Sequence, residues 1–89
     1  MPNTSGLDVE QIYHLARAFE HKAEEIEQTL SQLNSGLRET QWMGPDRDRF
    51  ESEFSGTISP DLRNLERELR DTAARLREQA RSQEQASRW

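Results

Sequence analysis

The stretch RETQWMGPDRDRF, residues 38–50, lies near the midpoint of an 89-residue chain and separates two long helical patterns. Gly44 can adopt the left-handed conformation that ends a helix. Pro45 suits the first position of a new helix, where its missing N–H costs nothing, and Asp46 adds favourable negative charge there. The stretch therefore predicts a turn at 42–45, and a connection this short makes the two helices antiparallel neighbours.

The segment before the turn carries a heptad pattern. Its apolar positions alternate in steps of three and four, and only Gly36 disfavours a helix between Asp8 and Gln41. The pattern predicts a helix over 8–41, with Asp8 as N-cap, after a flexible arm at 1–7. Such a helix is about 50 Å long and needs a neighbouring helix along its whole length. The apolar positions are Val9, Ile12, Ala16, Phe19, Ala23, Ile26, Leu30, Leu33 and Leu37.

The segment after the turn predicts a second helix over 46–80. Pro60 lacks the N–H that a helix interior requires, so we expect a kink or local break at 55–60, with Ser59 as a new N-cap. Beyond this helix the apolar pattern fades, and the tail at 81–89 is expected to fray. The apolar positions are Phe50, Phe54, Ile58, Leu62, Leu65, Leu69, Ala73, Leu76 and Ala80.

The composition indicates that a single copy has too little apolar surface for a core of its own. Apolar residues are 31% of the chain and charged residues 33%, and there is no cysteine, whereas globular domains have about 45–50% apolar residues. Tyr13 and Leu15 widen the first stripe and suggest contact with a second neighbour. We therefore expect an all-α fold, an antiparallel two-helix hairpin that pairs into a dimeric four-helix bundle. The expected dimer core is Val9, Ile12, Phe19, Ile26, Leu30, Leu33, Leu37, Phe50, Phe54, Leu62, Leu65, Leu69 and Leu76.

Charge and hydropathy argue against several partners. The net charge of −5 argues against a nucleic-acid partner. The arginines of the second helix alternate with acidic residues, which favours a solvated surface or contact with the acidic first helix of a partner. No stretch approaches the ~20 apolar residues of a membrane span, and the N-terminus lacks the basic and apolar regions of a signal peptide.

No pattern of residues predicts catalysis. His14 and His21 both fall on the outermost heptad position, so a solvated surface is favoured over a metal site. Serine, histidine and aspartate occur without a spacing that would make a nucleophile, base and orienting group, and there is no glycine-rich phosphate loop. We expect no enzyme activity, no metal and no cofactor.

The turn also carries a family resemblance. Trp42-Met43-Gly44 lies between two amphipathic helices, Phe50 follows Trp42 by eight residues, and a leucine and alanine stripe follows. In these features the whole chain resembles the WXG family of small secreted helical-hairpin proteins, whose best-known members are the early secreted antigens of mycobacteria. WMGPDRDRF is similar to the turn of actinobacterial members.

The resemblance implies export, as a folded pair, by a type VII secretion system with a membrane ATPase. It implies a homodimer or a heterodimer with a second WXG-type protein. It also makes Trp42 and Gly44 the recognition turn, although Trp42 packing on Phe50 at the bundle end is an equally weighted interpretation of that residue, and turn geometry alone is favoured for Gly44.

The chain departs from the family in one respect that bears on export. Family members carry a Tyr-Xaa-Xaa-Xaa-Asp/Glu signal after the second helix, whereas the one tyrosine here is Tyr13. We therefore expect the signal-less partner of an exported protein, cytoplasmic before export and then secreted or at the cell surface without a signal peptide. The alternative is an intracellular coiled-coil adaptor or chaperone with no export role.

Overall fold

The computed structural model describes residues 5–87, which form three α-helices and one π-helical turn, with no strand among them. The all-α prediction is confirmed. The molecule is elongated, with principal dimensions of 67 × 18 × 17 Å. Residues 1–4 of the predicted arm and 88–89 of the predicted tail lie outside the described residues.

Helix α1 spans Ser5–Glu39. It begins three residues before the predicted N-cap Asp8. It ends two residues before the predicted limit, where the backbone N–H of Thr40 donates to the carbonyl of Gly36 at 3.0 Å and its hydroxyl donates to the same oxygen at 2.6 Å. Thr40 thereby satisfies a carbonyl that the end of the helix would leave without a partner.

Helix α2 spans Pro45–Glu53 and follows a short connection with no regular structure. Gly44 is its N-cap, with φ 118° and ψ −179°, and Pro45 occupies the first helical position. The first bond of α2 runs from the backbone N–H of Asp48 to the carbonyl of Gly44, at 3.1 Å. The chain therefore turns close to the predicted 42–45, but Gly44 does not end the first helix in a left-handed conformation as predicted. It begins α2 instead, with a positive φ that only glycine readily adopts.

A π-helical turn at Phe54–Ile58 joins α2 to the last helix. Because Pro60 has no N–H, an ordinary α-helical turn would leave one carbonyl without a donor and press the proline ring against it. The chain widens instead, and the N–H of Ser59 donates to the carbonyl of Phe54, five residues back. Ser59 has the helical angles φ −63° and ψ −47°, so the prediction that it would act as a new N-cap is wrong.

Helix α3 spans Ser59–Ser87 and runs beside α1. It continues seven residues beyond Ala80, where the sequence analysis ends the second helix. Tyr13 accounts for part of this length, because its hydroxyl donates a 2.7 Å hydrogen bond to Glu84 of α3. A polar contact with α1 thus holds a segment in which the apolar pattern has already ended.

Small residues bring the two long helices together. Every seventh residue of α1 from Val9 to Leu30 is buried, and so are Ala73 and Ala80 in α3. Alanine at these positions lets the two backbones approach closely. The interior of the single chain, within the residues whose side chains are described, consists of Val9, Ala16, Ala23, Leu30, Phe54, Ala73 and Ala80.

Candidate functional site

Polar and charged side chains close one side of the groove between α1 and α3. The guanidinium of Arg77 donates two hydrogen bonds to the carboxylate of Glu20, at 2.7 and 2.8 Å. Two helical turns further along, the guanidinium of Arg70 donates a hydrogen bond to Glu27 at 3.1 Å and lies 3.6 Å from the carboxylate of Glu24. Residue numbers fall along α3 as they rise along α1, so the two helices run in opposite directions. A partner's acidic first helix was one predicted contact for these arginines, but Arg70 and Arg77 contact the chain's own first helix.

The strongest of these pairs shifts the pKa values of both partners. Hydrogen bonding and charge attraction from Arg77 lower the pKa of Glu20 below its usual value, and the same contact raises the pKa of Arg77. The stabilisation is present above the usual pKa of glutamate and is lost as the pH falls through the lowered value. Both side chains are about one third exposed, so the pair contributes modestly and serves mainly to fix the register of the two helices.

The opposite side of the same groove is uncovered and apolar. In α1 the third and sixth positions after each buried residue point to this side, because helical positions three and four apart share a face. Ile12, Phe19 and Ile26 are only half-buried there, and Leu15 and Leu33 are 47% and 45% exposed. The heptad stripe that the sequence predicts for α1 is thus divided into two columns. The column from Val9 to Leu30 faces α3, and the column from Ile12 to Leu33 borders solvent.

Helix α3 continues this apolar surface. Leu62, Leu69 and Leu76 are half-buried at seven-residue intervals, and Leu65 beside them is 44% exposed. Gln83 lies in the same column one heptad further on and lines a cleft with Ile12 and Leu15 of α1, so the two apolar columns adjoin. We refer to this surface as the uncovered face. It is formed by Ile12, Leu15, Phe19, Ile26 and Leu33 of α1 and by Leu62, Leu65, Leu69 and Leu76 of α3.

Charge is distributed unequally between the two sides of the groove. Each long helix contributes two rows of residues at seven-residue spacing to the uncovered face. The rows begin at residues 12 and 15 in α1 and at residues 62 and 65 in α3, and each has four positions. Among these sixteen positions, Lys22 is the one charged residue. Lys22 in turn lies 3.2 Å from Glu25 on its own helix. The columns on the opposite side hold eight positions between residues 13 and 84, of which six are charged. One side is therefore closed by ion pairs within the chain, whereas the other offers apolar surface almost free of charge.

The turn at one end of the molecule presents a second group of exposed apolar side chains. Trp42 packs against Phe50 with ring centroids 5.9 Å apart and planes tilted by 46°, and 40% of Trp42 stays exposed. Met43 at the tip is 91% exposed. Gly44 carries the positive φ, and an added Cβ there would have no atom within 4 Å. The indole is therefore held in place by one neighbour while keeping a free surface.

Arg47 connects this turn to the end of α1, a contact that the sequence analysis misses. Its guanidinium donates to Glu51 at 2.6 Å and to the backbone carbonyl of Leu37 at 3.1 Å. A cation next to the last carbonyls of a helix is favourable. The four-residue spacing of Arg47 and Glu51 is visible in the sequence, but no sequence pattern indicates that the same guanidinium reaches Leu37.

The residues predicted to form a dimer core occupy four environments. Val9, Leu30 and Phe54 are buried inside the single chain. Leu37 is half-buried and lines a cleft with Leu30 and Phe54. The predicted residues of the uncovered face are half-buried or exposed, and Phe50 lies apart from them, against Trp42.

The described side chains include no arrangement suited to metal chemistry. No group of three or more histidine, aspartate and glutamate residues within this part of the chain could hold a metal ion. His14 and His21 are exposed, and His21 lies 3.4 Å from Glu25 on the same helix. None of the helices described here is both long and apolar enough to cross a lipid bilayer.

Comparison with known proteins adds no relative. No family model, no curated protein and no solved structure matches the chain significantly.

Proposed function

We propose that this chain is a non-enzymatic interaction protein, a helical hairpin that pairs with a second hairpin to form a dimeric four-helix bundle. The observation that carries the proposal is the uncovered face, because apolar side chains such as Leu33 and Leu65 remain exposed along both long helices. A continuous apolar surface of this kind is typical of an interaction site. A partner of matching length would remove the apolar columns of both α1 and α3 from water at once.

The accessible surface supports pairing quantitatively. The chain exposes 7015 Å², whereas a compact monomer of 10.4 kDa exposes about 5,400 Å². The excess is roughly 1,600 Å², and a stable interface of standard size removes about 800 Å² from each partner. Much of this excess follows from the elongated shape of the chain, 67 × 18 × 17 Å, which leaves an area of this order open to a partner.

We propose further that the pair is exported by, or forms part of, a type VII secretion system, as a substrate or as the signal-less partner of a substrate. Support comes from the Trp42-Met43-Gly44 turn and its resemblance to the WXG family. Trp42 is fixed against Phe50 yet keeps a free surface at the end of the molecule, where a recognition protein has access. By the same resemblance, the recognition protein is the membrane ATPase of the system.

Replacement of Trp42 tests the export role. We expect Trp42→Ala to abolish export while leaving the helical fold, because the interior of the hairpin lies elsewhere. The tagged protein would be expressed in an actinobacterial host with an active type VII system and in a matched strain lacking the ATPase. Immunoblots of culture filtrate and cell lysate measure export, and circular dichroism of the purified variant measures folding.

Met43→Ala is the matched control, since Met43 adjoins Trp42 and is more exposed but contributes no ring contact. We expect it to be exported like the wild type. Export of Trp42→Ala at the wild-type level, or export that does not depend on the ATPase, would contradict the proposal. Absence of the wild-type chain from the culture filtrate, by contrast, would favour the intracellular adaptor or chaperone.

A further inference from the structure

We infer that a cleft near the end of α1 binds a small organic anion, with a carboxylate or phosphate head group and an apolar body. The cleft has a volume of about 480 Å³, within the range of about 300–1,000 Å³ that is usual for small-molecule sites. Its walls come from the last turns of α1, from α2, from the π-helical turn and from the start of α3. It lies on the side of the groove that ion pairs close, so a hairpin that covers the uncovered face would leave it open.

The cleft lies where a regular series of contacts between α1 and α3 stops. The series advances seven residues along α1 and retreats seven along α3 at each step, and its members are Tyr13–Glu84, Glu20–Arg77 and Glu27–Arg70. One further step brings Asn34 level with Arg63, and both residues line the cleft. Asn34 cannot supply the negative charge that glutamate supplies at the two preceding steps. Arg63 therefore occupies the place of an ion pair whose acidic member is absent.

Two arginines of the cleft have donors available for an external ligand. No ion pair within residues 5–87 engages Arg38 or Arg63. The local sequence gives the reason, because the residues three and four positions before each of them are uncharged. Glu66 follows Arg63 by three residues, but it already pairs with Arg70 at 3.1 Å. A guanidinium has five N–H donors and no acceptor, so both side chains suit an anionic partner.

The acidic groups of the cleft are compensated within the chain, which leaves its uncompensated charge positive. Glu27 pairs with Arg70, and Glu51 pairs with Arg47. The carbonyl of Leu37, which would disfavour an anion at the end of α1, accepts a hydrogen bond from the same Arg47. The chain as a whole has a net charge of −5, so this local positive charge is contrary to the overall composition.

The lining of the cleft indicates the chemical class of the ligand. Guanidinium groups bind carboxylate and phosphate oxygens through paired, charge-assisted hydrogen bonds. The amide of Asn34 and the hydroxyl of Ser55 add neutral donors. Leu37 is half-buried and lines the cleft beside the buried Phe54, which gives an apolar wall. A small molecule with one oxyanion head group and a short apolar body matches both parts.

Probe binding tests the inference on the purified chain, at a protein concentration at which circular dichroism shows it to be helical. The probes are phenyl phosphate and phenylacetate, with inorganic phosphate as the anion without an apolar body and benzyl alcohol as the neutral ring. Chemical-shift titrations of the isotope-labelled chain measure the dissociation constants. We expect one of the two organic anions to bind with a dissociation constant of about 1 mM or lower, and the tighter of them identifies the head group. Failure of both to bind, or equally tight binding of inorganic phosphate or benzyl alcohol, would overturn the inference.

Arginine substitutions locate the site. Arg38→Gln and Arg63→Gln should each raise the dissociation constant of the tighter probe about tenfold or more, because each removes charge-assisted hydrogen bonds. Arg49→Gln is the matched control, since it removes the same charge from α2 at a position that does not line the cleft, and it should bind like the wild type. Equal weakening by all three substitutions would indicate diffuse attraction of the anion and would overturn the site.

Completion of the series of ion pairs gives a test in the opposite direction. Asn34→Glu supplies the absent carboxylate, so we expect it to pair with Arg63, to raise the thermal midpoint of the free chain by a few degrees, and to weaken probe binding about tenfold or more. Asn34→Gln has the same length without the charge and should retain both the wild-type midpoint and probe binding. Wild-type probe affinity in the Asn34→Glu chain would show that the anion does not take the place of the absent acid, and the inference would fail.

Discussion

Gly44 sits where the chain reverses, and its backbone conformation restricts what can replace it. Its φ of 118° combined with an extended ψ of −179° lies in a region that is populated almost only by glycine. Because the space around it is open, the restriction comes from the residue's own backbone and not from its neighbours. Conformation thus accounts for Gly44 without any role in recognition.

The consequence is testable with two glycine substitutions. We expect Gly44→Ala to lower the free energy of unfolding by about 1–3 kcal/mol, the usual cost of such backbone strain. Gly56→Ala is the control, because it has equally open surroundings but no positive φ, and it should be neutral or stabilise by up to about 1 kcal/mol. Urea titrations followed by circular dichroism, at one fixed protein concentration, measure both. Equal effects of the two substitutions would show that the conformation of Gly44 does not matter.

At the residue scale the sequence predicts the turn well and the polar contacts poorly. Gly44 and Pro45 have strong local preferences, so their positions follow from the sequence. The bond from Arg47 to the carbonyl of Leu37 depends on how the chain folds back, which no local pattern encodes. Glu20 and Glu27 are seven residues apart, and so are Arg70 and Arg77, which is compatible with two ion pairs between antiparallel helices. The sequence could predict these pairs only if the register of the two helices were known.

At the scale of elements, alanines set the distance between α1 and α3. Ala16 and Ala23 face Ala73 and Ala80 across the groove, and all four are completely or almost completely buried. The sequence predicts the apolar stripe but assigns its two columns the same role. The structure divides them, because a single neighbouring helix can cover only one column of a two-column stripe.

We expect enlargement of this contact to be costly. Ala73→Leu should lower the free energy of unfolding by about 1–3 kcal/mol, because the added carbons would force two closely packed backbones apart. The control is Ala74→Leu, one residue away and exposed, which should have little effect. Thermal unfolding monitored by circular dichroism measures the difference. Equal stability of the two variants would show that the helices do not depend on close approach at Ala73.

The π-helical turn shows how a local conflict is resolved within an element. Pro60 predicts a disturbance between residues 55 and 60, and the disturbance occurs at Phe54–Ile58. Helix propensity does not predict the form of the disturbance, since a break with a new cap and a widened turn both accommodate the missing N–H and the ring of proline. In the continuous path that the chain takes, Phe54 is buried and α3 lies against α1.

At the scale of the whole molecule, the buried interior of a single chain is small. Four of the seven buried residues in the part of the chain whose side chains are described are alanine, and each alanine side chain contributes little apolar area. Val9, Leu30 and Phe54 supply the remainder. Most of the large apolar side chains lie on the uncovered face, where, on the proposed pairing, they would contribute their full stabilisation only after a second hairpin covers them. Folding and pairing should therefore be one coupled transition, with no stable helical monomer.

Coupling of this kind makes stability depend on protein concentration. We expect the thermal midpoint of the wild type to rise steadily over a 100-fold concentration series, because mass action favours the pair. Leu30→Asp places a charge in the interior of each copy and should remove helix content and dimer together. Circular dichroism and sedimentation equilibrium on the same samples follow the two signals. A midpoint that is independent of concentration, or a Leu30→Asp chain that stays helical as a monomer, would mean that one copy folds without the other, and the uncovered face would then contribute nothing to stability.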